Sequence, residues 1–178
     1  AFGLGLSVLV AVTLTRHNLD QQISGRVSEQ APDWFFIDIQ PDQIDRFDGI
    51  VASIDGIPDV QKTPMLRGRV AALAGVDVAD IDPPEASAWI LRGDRAITWQ
   101  ADELRGGKII DGSWWAKDYD GPPLISVSKE AFDDFGLKIG DEIAINVLGR
   151  TITATIANSR EVEWESFSIN FVFILSPG

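Results

Sequence analysis

The chain has 178 residues, 45 % of them apolar, which is enough for one domain, or two small ones, with a real core. Fifteen Lys and Arg stand against 27 Asp and Glu, and the resulting net charge of −12 repels phosphate backbones and anionic headgroups, so no nucleic acid partner is expected. The absence of cysteine removes disulfides, thiolate nucleophiles and Cys-ligated zinc, and any metal site or histidine-based triad would have to be built around the single His17.

Residues 1–15 (AFGLGLSVLVAVTLT) carry no charge. A complete membrane span needs about 20 apolar residues, so this run suits the outer part of a transmembrane helix whose beginning lies upstream. A secretory signal is the rival reading. It would want a basic region before the run and a small-residue cleavage site after it, whereas Arg16 and then LDQQISGRV follow. A buried core helix is the third reading. Beyond the run, Leu19, Ile23 and Val27 recur every four residues among Asp20, Gln21, Gln22, Ser24 and Arg26, the stripe of a helix that continues as a stalk. These three residues are the candidate coupling stalk. Pro32 ends it, because a proline pushes the residue before it out of the helical region.

Residues 34–39 (WFFIDI) read as a mostly buried strand. A helix follows, with Pro41 at its first position, Asp42 and Asp45 in the first turn, and Ile44, Phe47, Val51 and Ile54 on one face. Gly56 and Pro58 stop it. Residues 60–74 form a long or bulged strand that Pro64 and Gly68 confine to an edge or to bends. The stretch 33–74 is therefore expected as β-α-β. Small and acidic residues at 75–84 (GVDVADIDPP) mark a linker or insertion boundary.

A block of strands comes next. Residues 88–91 and 95–99 flank a turn at Arg92-Gly93-Asp94, residues 108–110 lead into Asp111-Gly112 and the Trp114-Trp115 pair, and 124–127 is again a strand. Ser128 caps a short helix that ends at Gly136 and buries Ala131, Phe132 and Phe135. Ile143, Ile145 and Val147, then Ile152, Ala154 and Ile156, alternate with small and polar residues across Leu148-Gly149-Arg150, which is a β-hairpin. The final run, 168–175 (SINFVFIL), is too short to span a membrane and suits a buried strand.

Few motifs carry chemistry. No GxxxxGK[ST] loop occurs, so the chain is not expected to bind ATP itself, and no GxSxG elbow places a serine beside a histidine. Asp77, Asp80, Asp82 and Glu85 lack the glycine and the bidentate glutamate of a calcium loop and read as a solvated acidic linker. Adjacent side chains on a strand face opposite ways, so one of Trp114 and Trp115 is expected in the core and the other at the surface. Core or hinge packing and an apolar ligand or partner contact are both open there. Arg160, Glu161, Glu163 and Glu165 surround Trp164 as a solvated loop with internal ion pairs.

Several stretches resemble the permease subunit of an ABC transporter: WFFIDIQPDQ at 34–43, PMLRGRVAAL at 64–73, WILRGDRAIT at 89–98, and VLGRTITATIANSREVEW at 147–164 with Ile169-Asn170-Phe171. The chain is similar in its whole extent to the YbbP-like branch of the MacB and FtsX superfamily. That resemblance implies an α+β, two-lobed periplasmic domain following the end of a transmembrane helix, with a β-α-β porter-like lobe and an inserted β-rich lobe. The expected divisions are 1–30 for the end of the transmembrane helix and stalk, 31–75 for the first part of the porter-like lobe, 76–167 for the inserted lobe, and 168–178 for the porter-like lobe's final strand. The rest of that lobe and further spans are expected beyond Gly178. The resemblance also implies a bacterial inner-membrane location with this segment mainly periplasmic, a separate cytoplasmic ABC ATPase subunit, and no catalytic residues or cofactor in this chain. Relatives of this kind are linked to a periplasmic esterase or lysophospholipase and to moving hydrophobic compounds out of the inner membrane. The function expected is coupling of ATP hydrolysis to movement of a hydrophobic substrate or a partner protein by mechanotransmission. The alternative is an extracytoplasmic sensor or ligand-binding domain of a receptor, which a single further span leading to a signalling domain would distinguish. A membrane-anchored hydrolase is disfavoured by the single histidine and the missing nucleophile motif, although a carboxylate-only glycosidase stays open.

Overall fold

The computed structural model describes residues 12–14, 16, 34–56, 60–103, 108–162 and 169–177. The chain forms two compact units, one of residues 1–59 with 164–169, the other of 60–163 with 170–178. Each is taken by itself.

In the first unit, residues 12–14 and 16 are helical, with Val12 and Leu14 exposed. No helix among the described residues is long and apolar enough to cross a membrane. Pro41–Gln43 form a 3-10 turn that leads into α1 (Ile44–Ala52), as the proline, the first-turn acids and the apolar spacing predict. The Gln40 N–H donates to Gln43 Oε1 at 3.2 Å and starts the turn. The expected strand at 34–39 does not form. A strand needs a neighbour for its backbone groups, and these residues have no strand partner among the described residues; Asp38, at φ 59°, also breaks the extended run. Trp34, Phe35, Phe36 and Ile37 are exposed, and the Phe36 ring meets Phe47 of α1 edge-on at 5.2 Å. The expected β-α-β unit is thus absent from the described residues.

In the second unit, eight strands make one sheet: β1 (Leu66–Leu73), β2 (Val76–Asp77), β3 (Arg95–Trp99), β4 (Lys108–Gly112), β5 (Leu124–Ser128), β6 (Glu142–Val147), β7 (Arg150–Glu161) and β8 (Phe173–Leu175). The pairings close a ring. β1 runs antiparallel to β3 and β6, β3 parallel to β8, β8 antiparallel to β5, β5 parallel to β7, and β7 antiparallel to β6. β2 extends β1 and β4 extends β7 outside the ring. A closed sheet leaves no open edge around the ring and buries one face of every strand. Accordingly Val70, Ile97, Ile125, Ile145, Ile156 and Phe173, one from each of the six strands, belong to a single buried cluster, which Ile90 and Phe132 join from α2 (Ala88–Leu91) and α3 (Lys129–Asp134).

Two glycines allow strands of this sheet to pack closely, Gly68 within the ring and Gly112 beside it. A Cβ on Gly68 would lie 2.6 Å from Ile97 Cδ1 and 2.9 Å from Ile145 Cγ2, so Gly68 makes room for the side chains of the flanking strands. A Cβ on Gly112, at φ +76°, would meet the Ala157 carbonyl oxygen at 2.1 Å, so only glycine lets β4 lie this close to β7.

Much of the expected element list is present: β3, β4, β5, the Ser128-capped helix and the hairpin β6–β7 all form. Four expectations change. Residues 88–91 are a helical turn, not a strand, fastened by the Ala88 N–H donating to the Pro84 carbonyl; a four-residue apolar run does not distinguish the two by periodicity. β1 is paired on both sides, so of the edge or bends expected of it only the irregularity holds, a register shift against β6 between Val70 and Ala72; Gly68 lies inside the ring and Pro64 before the strand. The run 75–84 does not divide the sheet: β1, assigned to the first lobe, pairs with β3 and β6, assigned to the inserted one. Likewise β8 pairs with β3 and β5, so the final strand lies in the same sheet as the block once set apart from it. The units divide instead between residues 59 and 60.

Candidate functional site

The sequence-derived site residues fall in different places. Leu19, Ile23 and Val27 lie outside the described residues. Trp114 and Trp115 follow β4 in a segment that is not a strand; one indole, Trp115, is in the core as expected while Trp114 is half-buried, but their rings stack on each other instead of facing opposite ways, centroids 4.2 Å apart and planes tilted by 32°. Both indole N–H groups are used. Trp114 Nε1 donates to the Ala101 carbonyl and Trp115 Nε1 to the Gln100 carbonyl, each at 2.8 Å. Trp115 is buried with Phe171 and Ile174 in a second apolar cluster, against which Trp114, Tyr119 and Leu124 pack half-buried. Because Phe173 faces the ring interior and successive strand residues alternate, Ile174 and this cluster lie on the outer face of β8. What Trp114 still exposes is the part of the pair open to a contact.

The acidic run has a local use. Asp77 Oδ1 accepts the Ala79 N–H at 2.9 Å and caps the 3-10 turn Val78–Asp80. Among the described residues no group of three His, Asp or Glu side chains is placed to hold a metal ion.

A buried polar cluster centred on Arg160 also lies on the outer face of the sheet. Arg160, expected in a solvated loop, is 2 % exposed and lies within β7. Its Nη1 donates to Ser126 Oγ on β5 at 3.0 Å, and its Nη2 donates to the Phe171 carbonyl and, at 3.3 Å, to that of Val172. Ser126 Oγ in turn donates to Asn158 Oδ1, and Asn158 Nδ2 to the Ser113 carbonyl at 3.1 Å. No carboxylate among the described residues is within ion-pair distance of the guanidinium. Burial pushes its pKa down to about 9, with Glu130 pulling the other way. Alternation along the hairpin does not reach Arg160: the register against β5 shifts between Ile156 and Asn158, and Asn158 and Arg160 stand opposite Ser126 and Ser128, on the outer face that Ser126 shares with its partner Ile174.

Three of the stretches quoted above also meet. Gly68 of PMLRGRVAAL pairs with Arg95 of WILRGDRAIT and with Val147 of the hairpin, which pairs with Arg150. Arg69 Nη2 reaches Asp94 at 3.3 Å, and the Arg95 guanidinium sits 5.4 Å from the Trp89 ring centroid. Residues far apart in the chain are therefore neighbours across β3, β1, β6 and β7.

No protein-family model matches the chain. Over 182 aligned residues, however, the whole chain is 23 % identical to the uncharacterized ABC transporter permease YbbP of Escherichia coli (strain K12). The chain is related to an ABC transporter permease. It spans 21 % of the length of YbbP, so the match bears on one part of that protein.

Proposed function

We propose that this chain is the extracytoplasmic module of an ABC transporter permease, and that it couples ATP hydrolysis by a separate cytoplasmic ATPase to movement of a hydrophobic or lipid-like substrate, or of a periplasmic partner protein. The observation that carries the reading is the similarity of the entire chain to YbbP. The physical support is a core built from six closed strands, which moves as a body rather than deforming, since packed interiors transmit displacement. In this reading the module is non-catalytic, the apolar run at 1–15 ends a transmembrane helix, and the segment beyond it lies mainly outside the bacterial inner membrane. A periplasmic esterase or lysophospholipase is a candidate partner, with the exposed part of Trp114 as a contact.

The test uses the intact polypeptide that contains this chain, produced with its ABC ATPase and reconstituted in lipid vesicles. Deleting residues 60–177 should leave the ATPase bound and hydrolysing while ATP-dependent movement of a fluorescent lipid or of the partner is lost. Movement at the undiminished rate without this segment, or failure of any ABC ATPase to co-purify with the intact polypeptide, overturns the reading.

A further inference from the structure

Arg160 sits just inside the point where the barrel unit is interrupted. That unit runs to residue 163 and resumes at 170, so β7 is the last strand before the interruption and β8 the first after it. The guanidinium spans the two sides: it belongs to β7, and it binds the carbonyls of Phe171 and Val172, immediately ahead of β8. We propose that Arg160 is a clasp that fastens the departing strand to the returning one, so that a load on the intervening chain reaches the barrel as a whole rather than pulling β8 out of it.

Three features support this. β8 has only three residues, yet it joins β3 to β5 and so completes the ring. A strand this short has few ladder hydrogen bonds of its own. The clasp adds charge-assisted donors directly before it, where the Ser128 N–H also binds the Val172 carbonyl at 2.9 Å. Second, a buried cation without a carboxylate is a poor stabilising device, because desolvation offsets what its hydrogen bonds contribute. What a guanidinium supplies is geometry, a rigid planar fork that reaches two successive carbonyls and a hydroxyl at once. Third, the fork is itself oriented. Ser126 Oγ is fixed by Asn158, and Asn158 by the Ser113 carbonyl, so the clasp is anchored on β5, on β7 and on the segment after β4.

Hydrogen–deuterium exchange on the folded chain tests the clasp without reference to transport, so its failure and that of the transport reading are separable. Arg160→Met keeps the apolar stem and removes the fork. Exchange at Ser128, at Gln100 and across 172–176 should then rise at least tenfold, while the amides of β1 and β6 keep their protection. Arg160→Lys, which keeps a charge but not the fork, should give an intermediate rise at the same amides. Unchanged exchange at 172–176, or the same increase throughout the barrel, overturns the proposal, the latter because Arg160 would then contribute only to global stability. If Arg160→Met does not fold, Arg160→Lys decides by the same pattern.

Discussion

Arg160 buries its charge against the outer face of the sheet with hydrogen bonds but, among the described residues, no counter-ion, and the consequence is a pH dependence of unusual sign. Burial lowers its pKa to about 9 in the folded chain, well below that of an exposed guanidinium. Below pH 9 the group is charged in both states, so the desolvation cost of folding is fully present and constant. Above pH 9 the unfolded state keeps a proton that the folded state loses, and stability rises with pH. Relative to Arg160→Met, the wild-type chain should therefore gain about 1 kcal/mol between pH 8 and pH 10. Urea midpoints of both proteins at the two pH values measure this, and a difference that stays flat or falls would show that the buried guanidinium keeps its proton. Residue type alone does not reveal such a site. Arginine beside three glutamates reads as surface, and the bulge between Ile156 and Asn158 breaks the period of two that would otherwise have been followed to it. Gly68 and Gly112 are similar: each reads as a turn or a bend, and the reason for each is a neighbour from another strand, Ile97 in one case and the Ala157 carbonyl in the other.

At the level of elements, what was legible is what is decided locally. The hairpin β6–β7 follows from alternation and a two-residue turn, and α3 from the Ser128 cap, whose Oγ accepts the Ala131 N–H at 3.4 Å. The strand expected at 34–39 fails because strand formation depends on a partner that composition does not supply, and the helical turn at 88–91 because four apolar residues fit either period. The hairpin turn also holds a local mismatch. Leu148 and Gly149 have φ of 50° and 85°, the pair of positive angles of a type I′ turn. Gly149 suits this conformation. Leu148, 88 % exposed, does not, since a side chain in the left-handed region costs about 1 kcal/mol and here buries nothing in return. Asparagine tolerates that region and leads such turns. Leu148→Asn should stabilise the chain by roughly 0.5–1 kcal/mol, read as a higher urea midpoint with an unchanged slope; a lower midpoint would mean that Leu148 makes a contact its exposure hides. The Asn146 side chain, which accepts the Gly149 N–H at 3.1 Å, should hold the turn in both proteins.

Over the whole molecule, the ring of strands was not legible, because which strands pair is a long-range fact: β3 beside β8 and β5 beside β7 are parallel pairings across many residues, and no periodicity reports them. The stripe Leu19, Ile23 and Val27, by contrast, is a statement of sequence, and the coupling reading makes it consequential. If the apolar run at 1–15 ends a membrane helix, residues 16–27 are the path by which motion in the membrane reaches the folded units, and a path that bends absorbs the displacement it should carry. Replacing Gln21-Gln22 with Pro-Gly should cost a helix roughly 3 kcal/mol or more at the proline alone. The barrel should be unaffected, since its strands begin at Leu66 and its core is built from β1 onward. In the intact transporter, ATP hydrolysis should then persist while movement of substrate or partner fails, measured as molecules moved per ATP in vesicles. A variant that is inserted and folded, as judged by unchanged exchange protection in β1 and β6, and that still moves its cargo at the normal ratio would show that the segment is a tether and that force reaches the barrel by another route.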